Sequence, residues 1–285
     1  MTLSGMNARE VLVTGARGKT GREVVAQLAA RGVAVRAGSR TPGAASRTVR
    51  PVPFDWDEPA TWSDAVGGVD AVYLMRPDVE DAPARVAELA AMTPDAHVVL
   101  LSEQGAGGLA DNSWERGAEL AVTDRVRTWT LLRPSWFHQV LTDPRYYVES
   151  IRDDGVLSLP TGGARIAFVD ARDIAAVAVA ALLDPTGSAG AAYEITGPES
   201  LTLKEVADLL AAASGRDVVA ADPPIEEAVT GLPSWLADQL GGVLDRVRDG
   251  VFGRVSGDVE GVTGNPPISV ATFVTEYADL WRSAD

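Results

Sequence analysis

The apolar pattern opens with a short run, Val11-Leu12-Val13, that stops at Thr14-Gly15. Glycines recur every third residue at 15, 18 and 21, and Val25, Leu28 and Ala29 then share one face of a helix that Gly32 can end. This predicts a strand, a tight turn and a helix start. The alternation repeats. Val33 to Arg40 reads as a second strand, and Val49 to Phe54 as a third whose two prolines suit a sheet edge. A polar helix over about 59–66 precedes a fourth strand, Val69 to Met75. An alanine-rich helix, Val79 to Met92, precedes a fifth strand, His97 to Ser102. Trp114 to Val122 reads as a helix and Thr128 to Pro134 as a sixth strand. Such regular alternation predicts an α/β fold with a Rossmann-like, doubly wound parallel sheet.

Past Pro134 the rhythm breaks into an aromatic, charged stretch from Trp136 to Tyr147. Short strands are expected at 156–160 and 165–169, an apolar helix at Ile174 to Leu183, a last core strand at Ala192 to Pro198 and a helix at Leu203 to Ala213. The remainder, rich in Gly, Pro and acids, is expected to be a helical lobe. Residues 1–134 are therefore expected to form a dinucleotide-binding core, completed by about 164–197. Residues 135–163 and 198–285 are expected to form a smaller C-terminal α/β substrate-binding lobe.

The glycines carry the first chemistry. Gly15 permits the turn, Gly18 lets backbone approach a pyrophosphate, and Gly21 lets helix and strand pack closely. The free N–H groups and positive dipole end of the helix then face the phosphates. The spacing is G-x-x-G-x-x-G rather than G-x-G-x-x-G, and its place between strand and helix makes it informative. Beyond the second strand, where an NAD-binding chain usually carries an acid for the ribose 2′-hydroxyl, stand Ser39 and Arg40. A guanidinium suits a 2′-phosphate, and Arg17 adds positive charge on the same side, so NADP(H) is the expected cofactor. Asp55 closes the third strand and either meets the adenine or caps the helix after it.

Bulk properties narrow the classes. A chain of 285 residues with 46% hydrophobic content can bury one large core, or a core with a smaller lobe. No uncharged run of 18 apolar residues is present, so no membrane span is expected. Residues 1–8 show no secretory pattern. The absence of cysteine removes disulfides, thiolate catalysis and cysteine-ligated metals and fits a cytoplasmic protein. Two distant histidines offer no metal site. A net charge of −15 argues against nucleic-acid binding, leaving a small-molecule substrate and a monomer or homodimer. Scarce lysine with abundant Ala, Gly and Arg suggests a GC-rich bacterial source and fits secondary metabolism.

Six segments together resemble the NmrA-like group of atypical short-chain dehydrogenase/reductases. They are Thr14 to Gly21, Gly38-Ser39-Arg40, Phe54-Asp55-Trp56, Leu131 to Phe137, Phe168 to Ile174 and Tyr193 to Pro198. The subset most similar in pattern includes ergot-alkaloid-type and quinone reductases. The resemblance implies that Gly15, Arg17, Gly18, Lys19, Thr20 and Gly21 hold the pyrophosphate, that Ser39 and Arg40 hold the 2′-phosphate, and that Asp55 sits by adenine. It further implies that the loops at Met75, Arg76, Pro77 and at Ser102, Glu103, Gln104 border ribose and nicotinamide, and that Pro134 to Phe137 lies beside nicotinamide and substrate.

One departure shapes the chemistry. The wider superfamily protonates carbonyls with a Tyr assisted by a Lys four residues later. None of the tyrosines here (73, 146, 147, 193, 277) has that lysine. Where the pair would fall stand Trp114, Glu115, Arg116 and Glu119, and Lys204 is a poor substitute. The expected activity is therefore NADPH-dependent reduction of an already electrophilic substrate such as an iminium, enone or quinone, with protonation from water or a weak acid. His138 is the first candidate donor, Tyr146 or Glu103 the others. Gln104, Trp136, Phe137 and His138 are the expected substrate contacts, and His97 is expected at the surface. Two other readings stay open: a non-redox cyclase or isomerase using the cofactor as scaffold, and an NADP(H)-binding redox sensor.

Overall fold

The structure, a computed structural model, describes residues 9–282. The region read above for a secretory pattern, 1–8, lies outside them. Strands β1 (Glu10–Val13), β2 (Ala34–Ser39), β3 (Val49–Pro53), β4 (Ala71–Met75), β5 (His97–Leu101) and β6 (Thr128–Pro134) alternate with helices α1 (Gly21–Ala30), α2 (Trp62–Val66), α3 (Ala82–Ala91) and α4 (Trp114–Thr123). After them come β7 (Val156–Ser158), β8 (Arg165–Ile166), α5 (Ala171–Leu183), α6 (Pro185–Ser188), β9 (Ala191–Ile195), β10 (Leu201–Thr202), α7 (Leu203–Ser214) and β11 (Val219–Ala221). The chain ends in α8 (Ile225–Ala228), α9 (Ser234–Arg248), α10 (Asp258–Thr263) and α11 (Val270–Glu276).

The main sheet runs β3-β2-β1-β4-β5-β6-β9, and the pairings from β3 through β6 are parallel. The fold is thus the expected Rossmann-like doubly wound α/β sheet, with proline-bearing β3 at its edge. Strand order reverses between β1 and β4, the place where such sheets hold ligands. No helix among the described residues is long and apolar enough to cross a membrane.

The chain divides into two compact units, 1–133 with 174–193, and 134–173 with 194–285. The first packs Leu12, Trp62, Val72, Leu74, Leu89 and Leu100 into its core. The second packs Leu141, Ile151, Leu210, Leu244, Phe273 and Trp281, and contains the short pairings β7–β11 and β8–β10.

Two sequence expectations change. The strand expected over 165–169 stops at Ile166, because Ala167 turns its N–H to the Phe252 carbonyl (2.7 Å) instead of a ladder. His97 is buried rather than superficial: its Nε2 meets Thr130 Oγ1 at 3.2 Å and the Ser188 hydroxyl at 3.5 Å. Burial lowers its pKa to about 4, with Arg9 adding repulsion, so the ring is neutral.

Candidate functional site

In the first unit the site grows from the end of β1. Thr14 donates its N–H to the Tyr73 carbonyl (3.0 Å), and its hydroxyl accepts the Met75 N–H (2.8 Å), so β1 and β4 are clamped where they part. Gly15 then takes φ +60°, a conformation a side chain strains, and any Cβ there would also strike the Met75 thioether. Gly18 N–H bonds the Gly15 carbonyl at 2.8 Å and closes the turn. A Cβ on Gly21 would collide with that same carbonyl oxygen, so α1 can begin this close to the turn only with glycine. Thr20 is buried and accepts the Tyr73 hydroxyl at 2.8 Å. Burial pushes the Tyr73 phenol well above its ordinary range despite that bond.

The same loop meets the end of β2. Ala16 N–H bonds the Gly38 carbonyl (3.0 Å), while Arg17 Nη1 and Ser39 Oγ both donate to the Thr41 carbonyl (3.2 and 2.9 Å). Arg17 and Arg40 are exposed there. A turn shaped by glycine, a helix N-terminus and these guanidiniums fit an adenine dinucleotide carrying a 2′-phosphate. Asp55 does not cap the helix after it: its Oδ1 accepts the Asp57 N–H at 3.1 Å in a local turn, and its carbonyl accepts the Trp62 indole N–H at 2.7 Å.

After β4, the Arg76 guanidinium lies 4.2 Å from the Trp114 ring centroid and pairs with Glu103 at 3.1 Å. After β5, Ser102 donates to Glu119 Oε1 at 2.8 Å. Glu119 is fully buried, held by two parallel bonds from Arg133 (2.8 and 2.8 Å) and one from Arg116 (2.9 Å). Burial pushes its pKa up, but the Arg133 and Ser102 bonds outweigh that and hold the carboxyl below its ordinary range. Gly107 packs on the same guanidinium, since a Cβ there would strike Arg133. The loop containing Gln104, itself buried, is therefore seated on this network. A charge on the apolar face of α4 is the signal that could have revealed it: Glu119 shares that face with Ala118 and Val122.

In the second unit, the Pro134-to-Tyr147 stretch splits between core and cavity. His138 is fully buried, its ring centroid 5.1 Å from Phe273 and its Nδ1 3.6 Å from Asp170 Oδ2. Asp170 also binds Arg172 (2.8 Å) and Gln139 (3.1 Å), and Arg172 reaches Glu276 (2.7 Å). Burial would raise the Asp170 pKa, but the His138 ring and Arg172 drive it well below the carboxylate range. His138 therefore sits in a buried cluster within this unit, away from the cavity lining. Phe137 forms an isolated parallel bridge with Val169.

Trp136 and Tyr146 instead line a cavity of about 480 Å3, together with Tyr147, Leu159, Leu240 and Glu227. Tyr146 is 53% exposed at its mouth. Burial, then repulsion from Tyr146, pushes the Tyr147 phenol up to about 12. Tyr147 stands in the aromatic stretch already read from the chain, whereas Leu240 and Glu227 escaped it because they come from segments far along the sequence.

Residues 15–185 match the model of a family described as NAD(P)H-binding. The NAD(P)H azoreductase of Xenophilus azovorans is 33% identical, over 96% of this chain and 100% of its own. Festuclavine dehydrogenase of Aspergillus fumigatus is 30% identical, over 95% and 98%. Among solved structures, the NADPH complex of an NADPH-dependent quinone oxidoreductase from Escherichia coli superposes with TM-score 0.79 at 24% identity, over 94% of this chain and 99% of that one. NmrA, a negative transcriptional regulator in complex with NAD, superposes with TM-score 0.78 at 16% identity, over 96% and 97%. Both structural likenesses are of fold. Glycine turn, strand order and relatives agree: the chain belongs to the NAD(P)H-binding family, shares its fold with NmrA, and is an NAD(P)H-dependent oxidoreductase.

Proposed function

We propose that the protein is an NADPH-dependent reductase of a small organic molecule whose reacting double bond is already electrophilic: an iminium, an enone or a quinone. The observation that carries this reading is Glu119. Where the wider superfamily places its acid–base pair, α4 offers a buried, ionised carboxylate locked to Arg133, Arg116 and Ser102. Such a group cannot release a proton to substrate. A substrate that needs little protonation is the chemistry compatible with it.

In this proposal the first unit binds cofactor and the second binds substrate. Gly15, Gly18, Gly21 and the α1 N-terminus, with Lys19 and Thr20, take the pyrophosphate. Ser39, Arg40 and Arg17 take the 2′-phosphate, and Asp55 lies by adenine. Met75, Arg76, Ser102 and Pro134 border the nicotinamide end, with Gln104 near the substrate. Bound NADPH supplies hydride. The chain's part is to orient both reactants, while any proton comes from water or Tyr146. A cytoplasmic location and a monomer or homodimer complete the proposal.

The test follows NADPH absorbance with a panel of cyclic iminium ions, enones and quinones, with substrate measured by mass. Turnover coupled to NADPH loss supports the reading. Substrate conversion without NADPH loss would replace it with a cyclase or isomerase, and tight NADPH binding with no turnover across the panel would replace it with a sensor.

A further inference from the structure

Formal charge is divided unevenly between the units. The segments 1–133 and 174–193 hold 15 basic and 18 acidic residues, and the rest of the chain holds ten and 22, for net charges of −3 and −12. The −12 unit contains the cavity. Its walls combine three aromatic rings, Trp136, Tyr146 and Tyr147, with an aliphatic floor. Two charged residues are among its lining, Arg145 and Glu227. Arg145 is neutralised by a two-pronged pair with Asp143, at 3.0 and 2.7 Å. Glu227, exposed on α8, has no ion-pair partner among the described residues.

We infer that this cavity selects a planar aromatic cation, which narrows the proposed substrate to a ring-bearing iminium or a similarly delocalised cationic π-system over a neutral quinone or enone. The inference rests on the reductase reading for turnover but not for binding. Aromatic faces attract a cation through their quadrupoles, most strongly where water is displaced. An uncompensated carboxylate at the mouth adds a directional charge, and the surrounding negative unit concentrates cations near it. A volume of about 480 Å3 lies within the range of small-molecule pockets.

The chemistry of such a substrate balances with the groups present. Hydride from NADPH adds to the carbon of C=N⁺, and the π pair becomes the nitrogen lone pair. NADP⁺ and a neutral tertiary amine result. No proton is consumed, so a buried His138 and an ionised Glu119 are no obstacle.

Calorimetry on the full chain, loaded with NADPH, tests the inference with N-methyl-3,4-dihydroisoquinolinium and its uncharged carbocyclic counterpart 3-methyl-1,2-dihydronaphthalene. NADP⁺ replaces NADPH in a second series so that binding is read without turnover. The cation should bind about tenfold more tightly than the hydrocarbon, and the margin should shrink as salt is raised. Glu227→Gln should weaken the cation about fivefold and leave the hydrocarbon and NADPH affinities alone, whereas Glu226→Gln on the same helix should do neither. Equal affinity for the two probes, or a Glu227→Gln effect on both alike, would overturn the inference. Preferential cation binding without NADPH oxidation would sustain it while removing the reductase reading.

Discussion

Each unit buries a carboxylate with a full set of donors, Glu119 in the first and Asp170 in the second, and the units differ in the ionisable group each leaves sparsely bonded, His97 against Asp173. In the first, Arg36 in β2 spans Glu10 (2.5 Å) and the Gly67 carbonyl (2.7 Å) but leaves its Nε without a partner, and His97 keeps a buried Nδ1 unbonded. In the second, Asp173 is buried with one bond of its side chain, from the Ile268 N–H at 2.8 Å, and His138 keeps both ring nitrogens without a hydrogen-bond partner. Saturated networks give a rigid frame, and a rigid frame suits a cofactor whose shape never varies. Sparser satisfaction, as at His97 and Asp173, leaves the group responsive to pH, and in opposite directions in the two units. The contrast makes distinct demands on mutants of each unit.

The sharpest break belongs to the cofactor turn. Gly21→Ala puts a methyl group onto the Gly15 carbonyl, so α1 must move away from the loop. NADPH affinity should fall by roughly 100-fold or more, about 2.7 kcal/mol, read by calorimetry. The cation probe should still bind in the second unit. Simultaneous loss of both ligands would show that the units do not function independently and would cancel the comparison.

Next comes the Glu119 network. Arg133→Met strands a buried carboxylate and should cost about 3–5 kcal/mol of stability in urea unfolding. Adding Glu119→Gln should recover part of that loss, because the stranded charge is then removed. If the single variant unfolds like the parent, the frame is not saturated in the sense argued above.

These cases also mark what the chain's pattern could reveal. The turn was legible because glycine at 15, 18 and 21 answers local backbone needs, which sequence states directly. Six strands and most helices followed from apolar periods for the same reason. His97 was misplaced because an apolar run does not say whether its first residue is covered, and α6 supplies the Ser188 that covers it. His138 looked like an acid because its neighbours are aromatic, but Phe273 and Asp170, 135 and 32 positions away in sequence, make that environment a core. The cavity was half legible: Trp136 and Tyr146 stand in an aromatic stretch, whereas Glu227 is one acid among many until folding brings it to the lining.

Acidity separates the units next. Burial, with repulsion from the nearby Asp170, raises the Asp173 pKa from 3.8 to about 6, partly offset by the Ile268 N–H. Its folded form therefore holds a proton the unfolded chain has lost, and the stabilisation disappears as pH rises through 6. His97 runs the other way, from 6.5 down to about 4, so stability rises with pH across that interval. Between pH 4.5 and 6.5 the two slopes oppose each other. Asp173→Asn should leave the His97 slope unmasked, about 2 kcal/mol gained across the window, and should make the protein about 2 kcal/mol more stable than the parent at pH 7.5. Urea midpoints at four pH values read this directly. Parallel curves for parent and variant would mean Asp173 is not the group that separates the units.

The smallest expected effect is the most specific. The first unit is nearly neutral overall, so its hold on an anionic cofactor must come from where its cations stand rather than from how many there are. Arg40 is exposed beside Ser39, and Arg17 is drawn to the same corner through the Thr41 carbonyl. Arg40→Ala removes one charge-assisted contact to a 2′-phosphate and nothing that NADH could use. NADPH affinity should drop about 10- to 30-fold, the worth of one to two such hydrogen bonds, and NADH affinity should stay within about twofold. The ratio of the two dissociation constants cancels any general damage to the fold. Were both cofactors weakened alike, Arg40 would be a structural cation and discrimination would fall to Arg17. Were neither weakened, the acid-free end of β2 would not be the place where this enzyme tells phosphorylated ribose from plain.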